Sequence, residues 1–234
     1  MSTKTITHLC LPIEPSSLES DVRKIQDALP FPTVVLAPHS GDSLEDTKER
    51  IRQSDLLIIS GPQVFIYFGD ELVNFTADWI LSGGRAMYWI GPNQQEAQTH
   101  FLARFNMADT TVRLRPQGGY DVPFIPSEAE FQHEILLRNV DSLVITQPNH
   151  IACSGNAQPV LTNQGDFQTI EARTDLFSSQ DPAAVCPLCL HENAQGGKLL
   201  ALSGSVHLAD LSDGDIQVSD NLTFMVNTFE YLMS

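Results

Sequence analysis

Basic residues are scarce in this chain: 13 Lys and Arg stand against 29 Asp and Glu, a formal net charge of −16. Such a surface repels phosphate backbones and acidic lipid headgroups, which argues against autonomous nucleic-acid binding and against docking on anionic membranes. Long apolar runs are missing as well. No stretch approaches the ~18 residues of a membrane span, so no membrane insertion is expected. The opening "MSTKTITHLCLPIEPSS" offers only the short "ITHLCL", bounded by Pro12, where a signal peptide would carry its apolar core. The expectation is a cytoplasmic protein whose four cysteines stay reduced. Neither GxGxxG nor GxxxxGK[ST] occurs, which removes the usual nucleotide-phosphate sites, and no cofactor is expected.

Cysteine is sparse, and its closest pair is the "CPLCLHE" of Cys186, Cys189 and His191. A CxxC followed by His invites zinc. However, "AAVCPLCLHE" reads as a strand, whose side chains alternate faces, so Cys186 and Cys189 should diverge. No second CxxC or HxxxH completes four ligands, and no metal is expected. Cys10 and Cys153 sit in apolar strand-like stretches, where cysteine acts as a small hydrophobe.

The 234 residues are 42% hydrophobic and 18% charged, a globular composition with enough length for a closed core. Strand and helix candidates alternate through the first half. Strands are expected near 6–11, 33–38, 55–60 and 86–90, with helices over 17–29, 43–53, 69–84 and 94–105 between and after them. Ser43 with Asp46 makes a partial capping box, and "DLLIISG" is the continuous apolar run of a strand buried on both faces. Between about 111 and 192 the pattern changes to short strand candidates ("VRLR", "LVITQP", "IACSG", "PVLTN", "TIEA") broken by Gly, Pro and Asn. The core resumes with "GKLLALSGS" and closes on the helix "SDNLTFMVNTFEYL". The expected fold class is α/β. It has a doubly wound, mostly parallel sheet, a single domain over 1–234, and an antiparallel β-rich excursion at 111–192.

The order of elements and four phrases resemble the class I glutamine amidotransferase-like superfamily, a flavodoxin-like arrangement, and within it the non-catalytic branch. That branch includes the N-terminal domain of an intraflagellar transport protein and parts of gliding-motility and ABC-transport-associated proteins. The phrases are "DLLIISGPQVFIYFGDELVNFTADWILSGGRAMYWI", "HEILLRNVDSLVI", "GGKLLALSGSVHLAD" and "SDNLTFMVNTFEYL", the last with Asn221 and Asn227 on the branch's pattern. Catalytic members carry a Cys in an elbow after the strand equivalent to 86–90, and a His-x-Glu after the penultimate strand. Here the elbow falls on Gly91-Pro92-Asn93-Gln94, which has no nucleophile, and His207 is followed by Asp210 three residues on. The resemblance implies a domain without the amidotransferase chemistry.

Ligands of such sheets sit beyond the carboxyl ends of the strands. The ligand-binding candidates there are Gly61, Gln63, Asn93, Gln94, Ser205, His207 and Asp210. Each has a plain alternative as a turn or capping residue. The run Val64, Phe65, Ile66, Tyr67 and Phe68 falls in an expected loop, where it forms either a partner surface or core covered by the excursion. The leading function is a non-catalytic binding or scaffold domain, with a protein partner or a second copy. A hydrolase, or a sensor of a small polar ligand such as a sugar or nucleotide, working around His207 and Asp210, is the alternative.

Overall fold

The computed structural model describes residues 3–9, 17–36, 42–60, 63–90, 96–115, 121–124, 133–146, 148–163, 168–171, 185–206 and 220–234. The first half alternates as expected: β1 (Lys4–Leu9), α1 (Ser17–Ala28), β2 (Thr33–Leu36), α2 (Leu44–Arg52), β3 (Leu56–Ser60), α3 (Gln63–Phe68), α4 (Asp70–Leu81), β4 (Arg85–Ile90) and α5 (Glu96–Ala103). There follow β5 (Met107–Arg115), β6 (Asp121–Phe124), β7 (Leu143–Thr146), β8 (Asn149–Cys153), β9 (Ala157–Asn163), β10 (Gln168–Glu171) and β11 (Val185–Glu192). The chain returns to the core with β12 (Lys198–Ser203), the short β13 (Ser205–Val206) and α6 (Asn221–Met233). None of the described helices is long and apolar enough to cross a membrane.

Seven strands form the main sheet in the order β2-β1-β3-β4-β12-β11-β9. The first five are mutually parallel, and β11 and β9 extend them antiparallel. The fold is therefore a mixed α/β fold with a mostly parallel central sheet and an antiparallel excursion. The remaining strands of the excursion form two further three-stranded sheets, β10-β5-β8 and β13-β7-β6, the second taking in β13 from beyond β12. It begins at Met107, slightly before the expected boundary, because β5 starts directly after the α5 turn.

Alternation of side chains across the sheet produces two cores. Leu56, Ile58, Met87, Leu200 and Leu202 face Ile25 of α1 and Phe224, Met225 and Phe229 of α6. Leu57, Ile59, Ala86, Tyr88, Leu199 and Ala201 face Phe65, Leu72, Ala77, Ile80, Phe101 and Leu102 of α3, α4 and α5. Phe65, Tyr88 and Phe101 meet edge-on or tilted, with ring centroids 4.9–6.0 Å apart.

Local chemistry fixes the helix ends. Ser43 caps α2, its Oγ accepting from the Asp46 amide while the Asp46 carboxylate accepts from the Ser43 amide. After α4 the glycines admit close approach of backbone. A Cβ on Gly84 would lie 2.5 Å from the Trp79 ring, and one on Gly197 would lie 2.0 Å from the Ile80 carbonyl oxygen. Asn193 completes this junction by donating to the Leu81 carbonyl. In α6, the Asn221 amide donates to the Val144 carbonyl and accepts from the Val144 N–H, and Asn227 donates to the carbonyls of Leu136 and Arg138. Two asparagines thus tie the last helix to the segment that leads into β7.

Two expectations need correction. Residues 63–68 are helix α3, because the apolar run supplies a buried turn that packs under α4 and α5. Cys186 and Cys189 do not diverge: their sulfurs lie 3.5 Å apart. The β11–β9 register shifts between Val185 and Leu188 and again between Leu188 and Cys189. A bulge of this kind puts an extra residue into one strand and resets the alternation beyond it, so both thiols face the same core.

Candidate functional site at the carboxyl edge of the sheet

The chain leaves β1 for β2 on one side, then crosses to β3 on the other, so the topological switch lies between the carboxyl ends of β1 and β3. His8 and Ser60 occupy those ends. They share a hydrogen bond of 2.6 Å between Nε2 and Oγ. His8 is 3% exposed, and burial holds its pKa down at about 4. The imidazole is therefore neutral at physiological pH, able to give or accept one hydrogen bond at each nitrogen according to tautomer. A base held so far below neutrality removes protons poorly.

A second polar group lies on the opposite face, where β4 and β12 end. The Tyr88 hydroxyl donates to Gln98 Oε1 (3.3 Å), Gln98 Nε2 donates to the Asp109 carboxylate (3.0 Å), and Asn149 Nδ2 lies 3.4 Å from the same carboxylate. The Asn149 backbone N–H donates to Ser203 Oγ at 2.9 Å. All five residues are buried. Burial raises the Tyr88 pKa far above the ordinary phenol range, and the Asp109 charge adds to the effect. The phenol stays protonated, a hydrogen-bond donor under all ordinary conditions. The group ties α5, β5 and β8 to the core sheet.

Of the ligand candidates, Gly61, Asn93, Gln94, His207 and Asp210 lie outside the described residues, as does the turn 91–94 expected to replace the nucleophile elbow. Gln63 is the first residue of α3 and Ser205 opens β13, each described by its backbone alone. Of the surface candidates, Val64 and Phe65 are buried in the core against α4, α5 and the sheet. Ile66 and Tyr67 are 55% and 70% exposed, and Phe68 is half-buried with its ring edge-on to Tyr67 at 4.8 Å. A helix accounts for the split, because about 3.6 residues per turn place residues two apart on opposite sides, Val64 and Phe65 inward and Ile66 and Tyr67 outward. Among the described residues no group of three or more His, Cys, Asp or Glu is placed to hold a metal ion.

His8, Gln98, Asp109 and Asn149 were missed from sequence. For His8 a signal existed: it breaks the apolar strand "ITHLCL". The other three come from separate elements and meet only in the folded chain.

Two crystal structures of proteins described as ThuA-like superpose over nearly the whole chain. One, from Bacteroides uniformis, has a TM-score of 0.57 at 10% identity and covers 98% of this chain and 91% of its own. The other, from Parabacteroides merdae, has a TM-score of 0.58 at 8% identity and covers 99% and 90%. The chain has a ThuA-like fold. At such identity the likeness extends to architecture alone, in keeping with the amidotransferase-like and flavodoxin-like arrangement. No protein-family model matches the chain, and no curated protein matches it in sequence.

Proposed function

We propose that this is a non-catalytic, amidotransferase-like binding domain that serves as a subunit of a larger protein assembly and docks its partner through α3. The observation that carries the proposal is the exposed Ile66–Tyr67 pair, held out by a helix whose other side is anchored in the core. Exposed apolar pairs on anchored elements near a ligand edge are typical recognition points. Acidic Asp70 and Glu71 follow directly on α4, and the whole chain is strongly acidic. The fitting partner therefore offers an apolar pocket with a basic rim. The absence of Ser, Cys or Asp from Gly91 through Gln94 agrees with binding without covalent chemistry.

Copurification from native extract tests it. Wild type should retain a stoichiometric partner that the Ile66→Glu, Tyr67→Glu double variant loses while keeping its melting temperature. A strictly monomeric wild type without partner, or retention by the double variant, would sink the proposal. A second reading, a sensor of a small polar ligand, is favoured by the His8–Ser60 pair at the switch point. Sugars and nucleosides that raise the melting temperature of wild type but not of Ser60→Ala would support it.

A further inference from the structure

The excursion brings three thiols together. Cys186 and Cys189 lie on one face of β11 with their sulfurs 3.5 Å apart, and both are buried. Strand β8 lies against β11: the Cys186 N–H donates to His150 Nδ1 (3.0 Å) and the Cys189 thiol points at the Ile151 carbonyl (3.7 Å). At the end of β8, Cys153 is half-exposed and hydrogen-bonded to Cys189. The three thiols therefore form a path from the surface into the core, with Cys189 in contact with both others. Neither the proposed function nor the sheet's carboxyl edge makes use of it.

We infer that Cys153, Cys189 and Cys186 form a thiol–disulfide exchange site, which takes low-molecular-weight disulfides and closes a reversible Cys153–Cys189 cross-link. In the first step the Cys153 thiol gives up its proton to solvent and its sulfur attacks one sulfur of a small disulfide RSSR. The RS–SR bond breaks, and the departing thiolate is protonated to RSH. In the second, Cys189 loses its proton and its sulfur attacks the Cys153 sulfur of the mixed disulfide. The second RS⁻ leaves and is protonated. Two protein thiols and RSSR give one protein disulfide and two RSH, so electrons and protons balance. The bond S–S spans ~2 Å, so the sulfurs must close by side-chain rotation. Cys186, in contact with Cys189, can exchange into that bond and release Cys153.

The electrostatics agree with this order. The hydrogen bond from Cys189 lowers the Cys153 pKa, while the hydrogen bonds to Cys153 and Cys186, with burial, hold Cys189 well above the ordinary thiol range. Attack begins at the more exposed and more acidic thiol and is resolved by the buried one. The product bond would join β8, in a three-stranded sheet, to β11 of the main sheet.

The test uses the full chain with Cys10→Ser, leaving the three cysteines of the cluster. Incubation of the folded protein with oxidised glutathione should remove two of three titratable thiols, without retained glutathione. Peptide mapping should find a Cys153–Cys189 link, exchanging with Cys186–Cys189, and the melting temperature should rise by ~5 °C. Cys153→Ser should slow oxidation at least tenfold, and Cys189→Ser should stall as a glutathione adduct on Cys153. Three unreacted thiols in the folded Cys10→Ser protein, or a persistent adduct with no internal link, would overturn the inference. Mapping on the wild-type cluster decides the matter even where a serine variant fails to fold.

Discussion

The parallel strands of the main sheet and the antiparallel strands that extend it both bury apolar side chains, but they keep different rules. Along β3, Leu56 through Ile59 are all fully buried and alternate between the two cores without a break. Along β11 the register slips twice between Val185 and Cys189, and Cys186 and Cys189 end on one face. Periodicity assigns faces correctly only while the ladder is unbroken, because a single extra residue inverts everything beyond it. The irregular margin is also where the unused thiols gather.

The largest expected effect separates the two regions by one type of substitution. Gly197→Ala, at the entry to β12, drives a methyl group to within 2.0 Å of the Ile80 carbonyl, a backbone atom fixed by α4. Relief requires moving helix or strand, and a loss above ~3 kcal/mol is expected. Gly155→Ala, between β8 and β9, meets only the Asn106 side chain at 3.1 Å, with φ at +59°. Left-handed strain then costs about 1 kcal/mol. Equal losses in chemical denaturation would mean that the core is no more tightly determined than its margin.

The pH response compares a buried histidine in the core, His8, with a half-buried one in the margin, His150. Burial lowers the pKa of both, His8 in the core to about 4 and His150 in the margin by direction. The unfolded chain then binds protons first as pH falls below its reference value of about 6.5, so each histidine costs stability between pH 6.5 and its folded value. For His8 the full effect is about 3 kcal/mol, reached near pH 4. His8→Gln should flatten the stability difference across that window, and His150→Gln should flatten it less. An unchanged slope in His8→Gln would show that the imidazole is solvated in the native state.

The Tyr88–Gln98–Asp109–Asn149 group bridges the regions, so it should yield an intermediate effect. Asp109→Asn sets an amide against the donors of Gln98 and Asn149. Leaving one buried donor unpaired costs ~2 kcal/mol. Amide exchange should accelerate in β5 and β8 while β3 stays protected. Uniform acceleration would indicate one cooperative unit.

These differences explain what could be read in advance. Strands β3 and β12 were legible because burial on both faces leaves near-continuous apolar runs, and β1, β2 and β4 through their regular alternation with helices. The helices at 44–52, 70–81 and 96–103 were legible through their apolar faces. Helix α3 was not, because six residues are too few to show a helical period. The His8–Ser60 pair needed the strand order 2-1-3, which no local pattern carries. The Asp109 group needed four elements to converge.

The smallest effect concerns the most local device. The stretch "SLED" at the start of α2 holds the whole N-terminal cap of the helix, with both reciprocal hydrogen bonds formed within four residues. Ser43→Ala leaves the Asp46 amide without its side-chain acceptor, and a cap of this kind is worth about 1 kcal/mol. Nothing in the bonding of Ser43 reaches the excursion: its partners are Asp46 and Thr47 of its own helix. The loss should therefore add to that of Cys189→Ala within ~0.5 kcal/mol in a double-mutant cycle, as for distant independent sites. It should also be the same in reduced and oxidised protein. A coupling larger than that would tie the capped helix of the core to the thiols of the margin, and the two regions would have to be treated as one.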